Sequence, residues 1–555
     1  MIAMEKPIET DVLVIGGGIG GLMAAINAAE QGARVIIAEK ANTRRSGSGS
    51  TGNDHFMCYI PEVHGDIETV IKEHFDSMYG RSQDRNLVVK HFRHSFDRVK
   101  DWDSWGIPMK VDGKWEFTGH AFPGRPRLHL KYAGAEQKPI LTREAEKRGV
   151  TIMNKLPITD IITRDGEVIG AIGISIEKKE PRMVVFRAKS VILLTGHANR
   201  LYPAITPGWI FNTARCPAST GAGRAAAYRA GARLVNMELP YTHSGPKYFA
   251  RAGKATWIGV LKDLHGKPVG PFVTKPDKEL GDITADVWTS VFTEMNKTGR
   301  GPVYMDCTET EDRDLEYMIW GLTNEGNTAM LNYMAREGID LKKHMVEFTQ
   351  YEINLRGRGG VEIDENAETN IRGLFAGGDE VGNFNGAISG AATFGWIAGE
   401  SAAKRAKGMD SFVKAEESEL VADRRGFYSE ILDREAGPGW KEANLAVNQI
   451  MNDYAGLEVR SETLLKSGLK YLGDIREKVC GTIKADDSHS LMRCLEVTEL
   501  IDIGETIFLA ALERKETRGM HKRSDYTFTN PLTDKFITIK LVEGQPIIEW
   551  REQIK

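Results

Sequence analysis

Residues 10–40 constrain the fold of this chain more than any other stretch. Thr10-Asp11-Val12-Leu13-Val14-Ile15 carries a short apolar run, and Gly16-Gly17-Gly18-Ile19-Gly20-Gly21 follows directly. A small-residue segment, Leu22 to Gln31, stops at Gly32, and Val35 to Ala38 then repeats the apolar run with Glu39-Lys40 at its end. Short β-branched runs bounded by glycine read as buried strands, and the alanine-rich stretch between them reads as a helix. Gly16, Gly18 and Gly21 have the spacing G-x-G-x-x-G. The first glycine makes the tight turn, the second lets a pyrophosphate approach the backbone, and the third lets helix and strand pack closely. The helix N-terminus then offers its unpaired N–H groups to phosphate. The Glu39 carboxylate, about 20 residues on, can accept from a ribose hydroxyl. Strand, helix, second strand and terminal acid in register predict a dinucleotide-binding βαβ unit.

At 555 residues the chain is too long for one core and predicts two or three domains. A net charge of −4 gives no reason to expect nucleic acid. The five cysteines, at 58, 216, 307, 480 and 494, are far apart with no C-x-x-C spacing. That pattern argues against a metal site, an iron–sulfur cluster or a disulfide framework in this chain, and predicts buried thiols. The first ten residues lack a basic region followed by an apolar one, so no secretory signal is expected. The apolar run from Val12 to Ala29 is broken by five glycines and already accounted for, so no transmembrane span is expected either. A cytoplasmic location follows as the default.

Several later segments select FAD over a nicotinamide. Arg45-Ser46-Gly47-Ser48-Gly49-Ser50-Thr51-Gly52 offers many N–H and hydroxyl donors and few obstructing side chains. A loop lying along a ribityl pyrophosphate needs that composition. Lys189 to Gly196 is an apolar strand that closes on Thr195-Gly196. A further strand and turn, Ile371 to Asp379, ends in Gly377-Gly378-Asp379, with Asp379 suited to a ribityl hydroxyl. Gly386 to Ala403, carrying Ser389, reads as a second small-residue helix whose N-terminus can face the flavin. Three strand-then-glycine elements, distant in sequence, are expected to converge on one FAD.

These segments identify a resemblance to the fumarate reductase and succinate dehydrogenase flavoprotein superfamily over essentially the whole length. It rests on the N-terminal unit, on Arg45-Ser46-Gly47, and on Gly359-Gly360-Val361-Glu362-Ile363-Asp364 leading to Gly373 and Asp379. It rests also on Arg514-Lys515-Glu516-Thr517-Arg518-Gly519-Met520-His521. The resemblance implies an α/β fold in which a Rossmann-like FAD-binding domain (1–243 and 350–408) is split by an α+β capping domain (244–349). A helical C-terminal domain (409–555) follows. Where membrane-complex members carry a histidine covalently joined to FAD, this chain has Gly47, which implies non-covalent FAD. Their dicarboxylate-binding histidine corresponds to Leu355, and their arginines have no counterpart near Thr284-Ala285-Asp286 or Gly386 to Gly390. A C4-dicarboxylate needs cationic clamps and its reduction needs a proton donor, so these losses argue against fumarate. The closer likeness is to the α subunit of adenylylsulfate reductase. It is carried by Arg45-Ser46-Gly47, by Gly299-Arg300-Gly301 before Pro-Val-Tyr-Met-Asp, by Ala255-Thr256-Trp257 with Lys262, and by Arg233 to Glu238.

Candidate chemistry falls on a few residues. Arg356 and Arg358, in a glycine-rich turn, can grip an anion bidentately; the competing reading is a structural pairing with Glu352 or Asp364. His243, Lys247 and Tyr248 are candidate proton carriers, and Trp257 could stack on the flavin or pack in the cap. His55 is either substrate-side or structural. His197 is expected near the adenine half of the cofactor, and His521 and Arg518 read as structural. The expected activity is that of an FAD-dependent oxidoreductase subunit. It would move hydride or electrons between a small anionic organic substrate and an iron–sulfur or other redox subunit. The alternatives are a self-contained oxidase or reductase of the L-aspartate oxidase type, or a non-catalytic electron-transfer subunit.

Overall fold

The computed structural model describes all of the chain except residues 77–81, 118–125, 207, 248–256, 271–272, 277, 279–281, 283, 289 and 459; the side chains of 286 and 287 are also outside it. Tyr248 and Ala255-Thr256, singled out above, therefore lie outside the described residues.

The expected βαβ unit is formed by β1 (Ile8–Ile15), α1 (Ile19–Glu30) and β2 (Val35–Glu39). Helix α1 begins three residues before the predicted Leu22, because extended Gly18 serves as its N-cap. It ends as predicted at Gly32, which adopts φ +82° and returns its N–H to the Ala29 carbonyl at 2.8 Å. β1 and β2 pair in parallel from Val12–Val35 to Ile15–Ala38.

On the other side of β1 lies β3 (Arg182–Leu193), which changes partner along its length. Its first half pairs antiparallel with Glu167–Ser175, and its last residues pair in parallel with β4 (Leu374–Ala376). Thus β1, β3 and β4 run side by side in one direction and stop together at Ile15, Leu193 and Ala376. The three glycine-bearing turns consequently meet at one edge. In sheets of this kind that edge, beyond the carboxyl ends of the strands, is where ligands bind.

One helix closes the layer above this edge. α2 (Ala387–Lys407) lies on α1 with glycines at the crossing. A Cβ added to Gly395 would come within 2.3 Å of the Gly20 carbonyl, and one on Gly399 within 2.2 Å of the Ala24 carbonyl. Only glycine allows backbones this close, so the small residues of both helices fix their spacing.

Two hydrophobic cores result. The larger one includes β1–β4, α1, α2 and the C-terminal helices Trp440–Ala455, Glu462–Thr482 and Ser488–Glu513. The smaller one draws on residues 257–348, including Trp257, Met305, Met318 and Phe348, beneath an antiparallel sheet of Ser244–Pro246, Val346–Gln350, Val303–Asp306 and Val260–Lys262. Beyond the C-terminal helices, Lys535–Val542 and Gln545–Glu552 form a hairpin that joins the short strands Leu234–Val235 and Gly360–Val361. Among the described residues no helix is long and apolar enough to cross a membrane.

Candidate functional site

A cleft of about 520 Å³ opens at the shared edge of β1, β3 and β4. Gly16, Gly18, Glu39, Lys40, Ser46, Gly47, Ser48, Gly52, Thr195, Gly196, Gly378, Asp379 and Ser389 all line it, so thirteen of the fourteen expected cofactor residues meet in one place. The fourteenth, Gly21, acts from beneath: a Cβ there would stand 1.8 Å from the Gly16 carbonyl, so it is needed for the strand–helix approach.

Glu39 is buried, and its two oxygens accept from the Gly17 and Ala41 N–H groups, each at 2.7 Å. Lys40 forms an ion pair with Glu496 at 2.8 Å, which joins this end of the cleft to the C-terminal helix Ser488–Glu513. Lys138 is fully buried and donates to the Gly17 carbonyl; burial pulls its ammonium down to about 8. Sequence reasoning missed Lys138, because it sits in the first turn of the helix Gln137–Lys147 with no phosphate-loop motif around it.

Along the middle of the cleft, Gly47 adopts φ +77°, a conformation that a histidine would reach only under strain. The position therefore holds no side chain that could bond to a flavin. Ser46 Oγ and Thr220 Oγ1 are buried against the cleft without hydrogen-bond partners among the described residues. A cradle of glycines with orphaned hydroxyl groups fits a phosphate-bearing ligand that supplies the missing acceptors.

At the far end a connected set of polar groups appears. His197 Nδ1 stands 2.9 Å from Ser48 Oγ, and its Nε2 is 3.1 Å from Asp379 Oδ2. Arg356 Nε lies 3.6 Å from Asp379 Oδ1, and the guanidinium sits over the Tyr241 ring at 5.3 Å. Burial disfavours the Asp379 anion, but His197, Arg356 and Arg215 outweigh it and hold the carboxyl far below the usual range. Burial pushes the His197 imidazolium down despite Asp379, so the ring is neutral at pH 7. His197 thus stands beside Ser48 and Asp379, with Arg356 on the other oxygen of that carboxylate.

The structure sorts the candidate catalytic residues. Arg356 and His243 line the cleft. His243 Nδ1 accepts from the Ser244 N–H at 2.8 Å. Arg358 does not line the cleft; Gly357 between the two arginines has φ +58° and bends the chain, so the two side chains do not follow one another along a strand face. Lys247 is exposed and ion-paired with Glu347 at 2.7 Å on the small antiparallel sheet. Trp257 is 5% exposed inside the smaller core and meets Phe348 edge-on at 5.1 Å, so it packs there and does not reach the cleft. The cationic partner of Arg356 in the cleft is instead Arg215, carried by a loop without glycine spacing or periodicity.

Arg224 locks this end together. It is fully buried and donates to the carbonyls of Gly359 (3.0 Å), Gly196 (2.5 Å) and Asp379, three segments separated by much of the chain. Glu380 holds Thr195 in turn, accepting from its N–H at 2.7 Å.

Comparison with known proteins agrees with this geometry. A family model described as an FAD binding domain matches residues 11–394, and one described as the fumarate reductase flavoprotein C-terminus matches residues 444–553. One subunit of the CoM/CoB fumarate reductase of Methanothermobacter marburgensis is 27% identical over 95% of this chain and 96% of its own length. The fumarate reductase flavoprotein subunit of Escherichia coli is 24% identical over 94% of this chain and 89% of its own length. Among solved structures, adenylylsulfate reductase of Archaeoglobus fulgidus superposes with a TM-score of 0.85 at 22% identity, covering 100% of this chain and 97% of that one. The E. coli quinol fumarate reductase flavoprotein superposes at 0.82 with 20% identity, covering 99% and 98%. This chain is an FAD-dependent oxidoreductase, and it belongs to the flavoprotein family of that FAD binding domain and that fumarate reductase flavoprotein C-terminus.

Proposed function

We propose that the chain is the flavoprotein subunit of a multi-subunit oxidoreductase. It would pass a hydride or an electron pair between a small anionic organic substrate and an iron–sulfur or other redox subunit. The observation that carries this reading is the grouping of Arg356, Arg215 and His243 in the cleft that the cofactor glycines also line. When bound, FAD supplies reversible hydride exchange. The chain's own residues bind, orient and protonate. Arg356 and Arg215 would take the anionic group of the substrate, with the Tyr241 face and Asp379 fixing the Arg356 guanidinium. His243, whose Nδ1 lies 2.8 Å from both the N–H and the carbonyl of Ser244, would give a proton there as imidazolium or take one as imidazole. Gly47 supports a non-covalent cofactor held by Ser46, Ser48 and the glycine turns.

The curated relatives are fumarate reductase subunits. In this chain Leu355 replaces the dicarboxylate histidine of that resemblance, and no arginine occurs between Gly386 and Gly390. Both departures support an anion other than fumarate. That these relatives are subunits, and that the five cysteines are scattered without cluster spacing, support a separate electron carrier.

Acid precipitation of the purified native protein, with an iron assay of whatever co-elutes, tests the proposal. Yellow colour in the supernatant and iron in a companion band are expected. Colour in the pellet would refute non-covalent binding, and peroxide formation by the isolated chain would replace the subunit reading with an oxidase. Arg356→Met should raise KM for an anionic substrate about 10–100-fold while the flavin spectrum stays intact.

A further inference from the structure

Asp54, His55 and Glu325 converge at the side of the cleft where the smaller core meets the larger one. One ligand atom from each lies within 4.8 Å of the others. Asp54 and His55 come from the strand His55–Met57 and the residue before it. Glu325 directly follows the helix Asp312–Asn324, whose Tyr317, Met318 and Leu322 belong to the smaller core. The two carboxylates are buried, Asp54 at 0% and Glu325 at 9% exposure. Asp54 Oδ1 meets His55 Nδ1, while Asp54 Oδ2 is buried with no hydrogen-bond partner among the described residues.

Burying two carboxylates side by side is costly unless a positive charge joins them. An orphaned, fully buried carboxylate oxygen beside an imidazole is a donor set waiting for an acceptor of electron pairs. The supports are rigid. The Asp54 carbonyl accepts from the Tyr132 N–H at 2.9 Å, and the Asn53 carbonyl accepts from Gly134 at 3.0 Å. The backbone contact at the junction is equally tight, since a Cβ on Gly52 would stand 2.0 Å from the Asn324 carbonyl. The His129 ring meets the His55 ring edge-on at 5.1 Å, which restricts its rotation.

We propose that Asp54, His55 and Glu325 bind a divalent first-row cation that ties the two cores together at the cleft. One imidazole nitrogen with two carboxylate oxygens suits Mn²⁺, Fe²⁺ or Zn²⁺ better than Ca²⁺, which prefers an all-oxygen shell. Three protein ligands leave coordination positions open. His55 and Glu325 both line the cleft, so those positions face the space where the substrate would enter.

The FAD-loaded full-length protein, stripped with chelator and then dialysed against Zn²⁺ or Mn²⁺, should retain about one equivalent by elemental analysis. Glu325→Gln and His55→Asn should each weaken retention at least about tenfold while flavin absorbance and melting temperature persist. If either variant fails to fold, the wild type still decides. Bound Zn²⁺ should protect His55 from diethyl pyrocarbonate, read by peptide mass spectrometry, and leave exposed His265 reactive. Retention of neither ion by the wild type, equal retention by the folded variants, or His55 labelling unaffected by Zn²⁺ would each overturn the assignment.

Discussion

Around Arg514 the buried polar groups bind one another, whereas along the cleft several bind nothing among the described residues. Arg514 is 1% exposed and donates to Glu238 at 2.7 Å, Glu516 at 2.8 Å and the Lys535 carbonyl at 2.9 Å. Arg460 donates to the Glu238 carbonyl at 2.7 Å and pairs with His521 Nδ1 at 2.8 Å, while His521 Nε2 donates to the Arg514 carbonyl at 3.0 Å. Burial and then Arg460 push the His521 imidazolium well below its ordinary range, so the ring stays neutral and serves as one acceptor and one donor. Among the described residues, only Glu238 Oε2 and Arg460 Nη2 are left over in this group. In the cleft, Ser46 Oγ and Thr220 Oγ1 find no partner among the described residues and stand beside bare glycine backbone. Polar atoms that stabilise a fold find partners within it. Those that serve a ligand are left with bonds to make.

The largest test of this contrast is Arg514→Met. It leaves Glu238 buried without its cation, while Glu516 keeps only the Arg518 cation, and should cost about 3–5 kcal/mol, read by urea unfolding. A loss below about 1 kcal/mol would show that the network carries little stability. Next comes Glu352, a buried carboxyl raised to about 7 by burial, against the Ala214 N–H and the nearby Arg215. The unfolded chain ionises this group near its ordinary value, so stability should fall by up to roughly 3 kcal/mol as pH rises from about 4.5 to 7, then level off. Glu352→Gln should flatten that slope in thermal melts and leave stability near pH 4.5 unchanged.

Two glycine substitutions sharpen the comparison at about 1–3 kcal/mol each. In Gly21→Ala the new Cβ collides with the Gly16 carbonyl, so the flavin-free chain itself should melt earlier. A Cβ on Gly18 meets nothing within 4 Å, so Gly18→Ala should melt normally without flavin and bind FAD about tenfold or more weakly. If both variants behaved alike, the glycines would be acting only on the fold. The smallest effect belongs to Lys247→Ala, which removes an exposed ion pair and should change stability by under about 1 kcal/mol. Turnover should not change either, since the residue is remote from the cleft.

The cofactor half of the site was legible in the sequence because its chemistry needs bare backbone. Glycines at Gly16, Gly18, Gly47 and Gly378 announce themselves by spacing and by the strands before them. Local alternation and periodicity likewise revealed β1, α1, β2 and α2. The substrate half was only partly legible. Arg356 and His243 were identified, but Arg358 is turned by the bend at Gly357, Lys247 by its ion pair on the small sheet, and Trp257 by the smaller core. Arg215, Lys138 and the Asp54–Glu325 grouping depend on contacts between distant segments, and no local pattern records those. The Arg514 run was recognisable only through resemblance; its partner Glu238 lies 276 residues away.

The single guanidinium of Arg224 sets an order on the making of this protein. Its three carbonyl partners end with Asp379, and the parallel edge of the cleft is finished only by Leu374–Ala376. At about 5–20 residues per second, a ribosome needs roughly 20–75 seconds to reach that point. Until then the glycine turn at Gly16 has emerged without the strand and clamp that complete its neighbourhood. Flavin supply therefore does not guide the early part of synthesis, and loading waits for the segment that ends at Asp379.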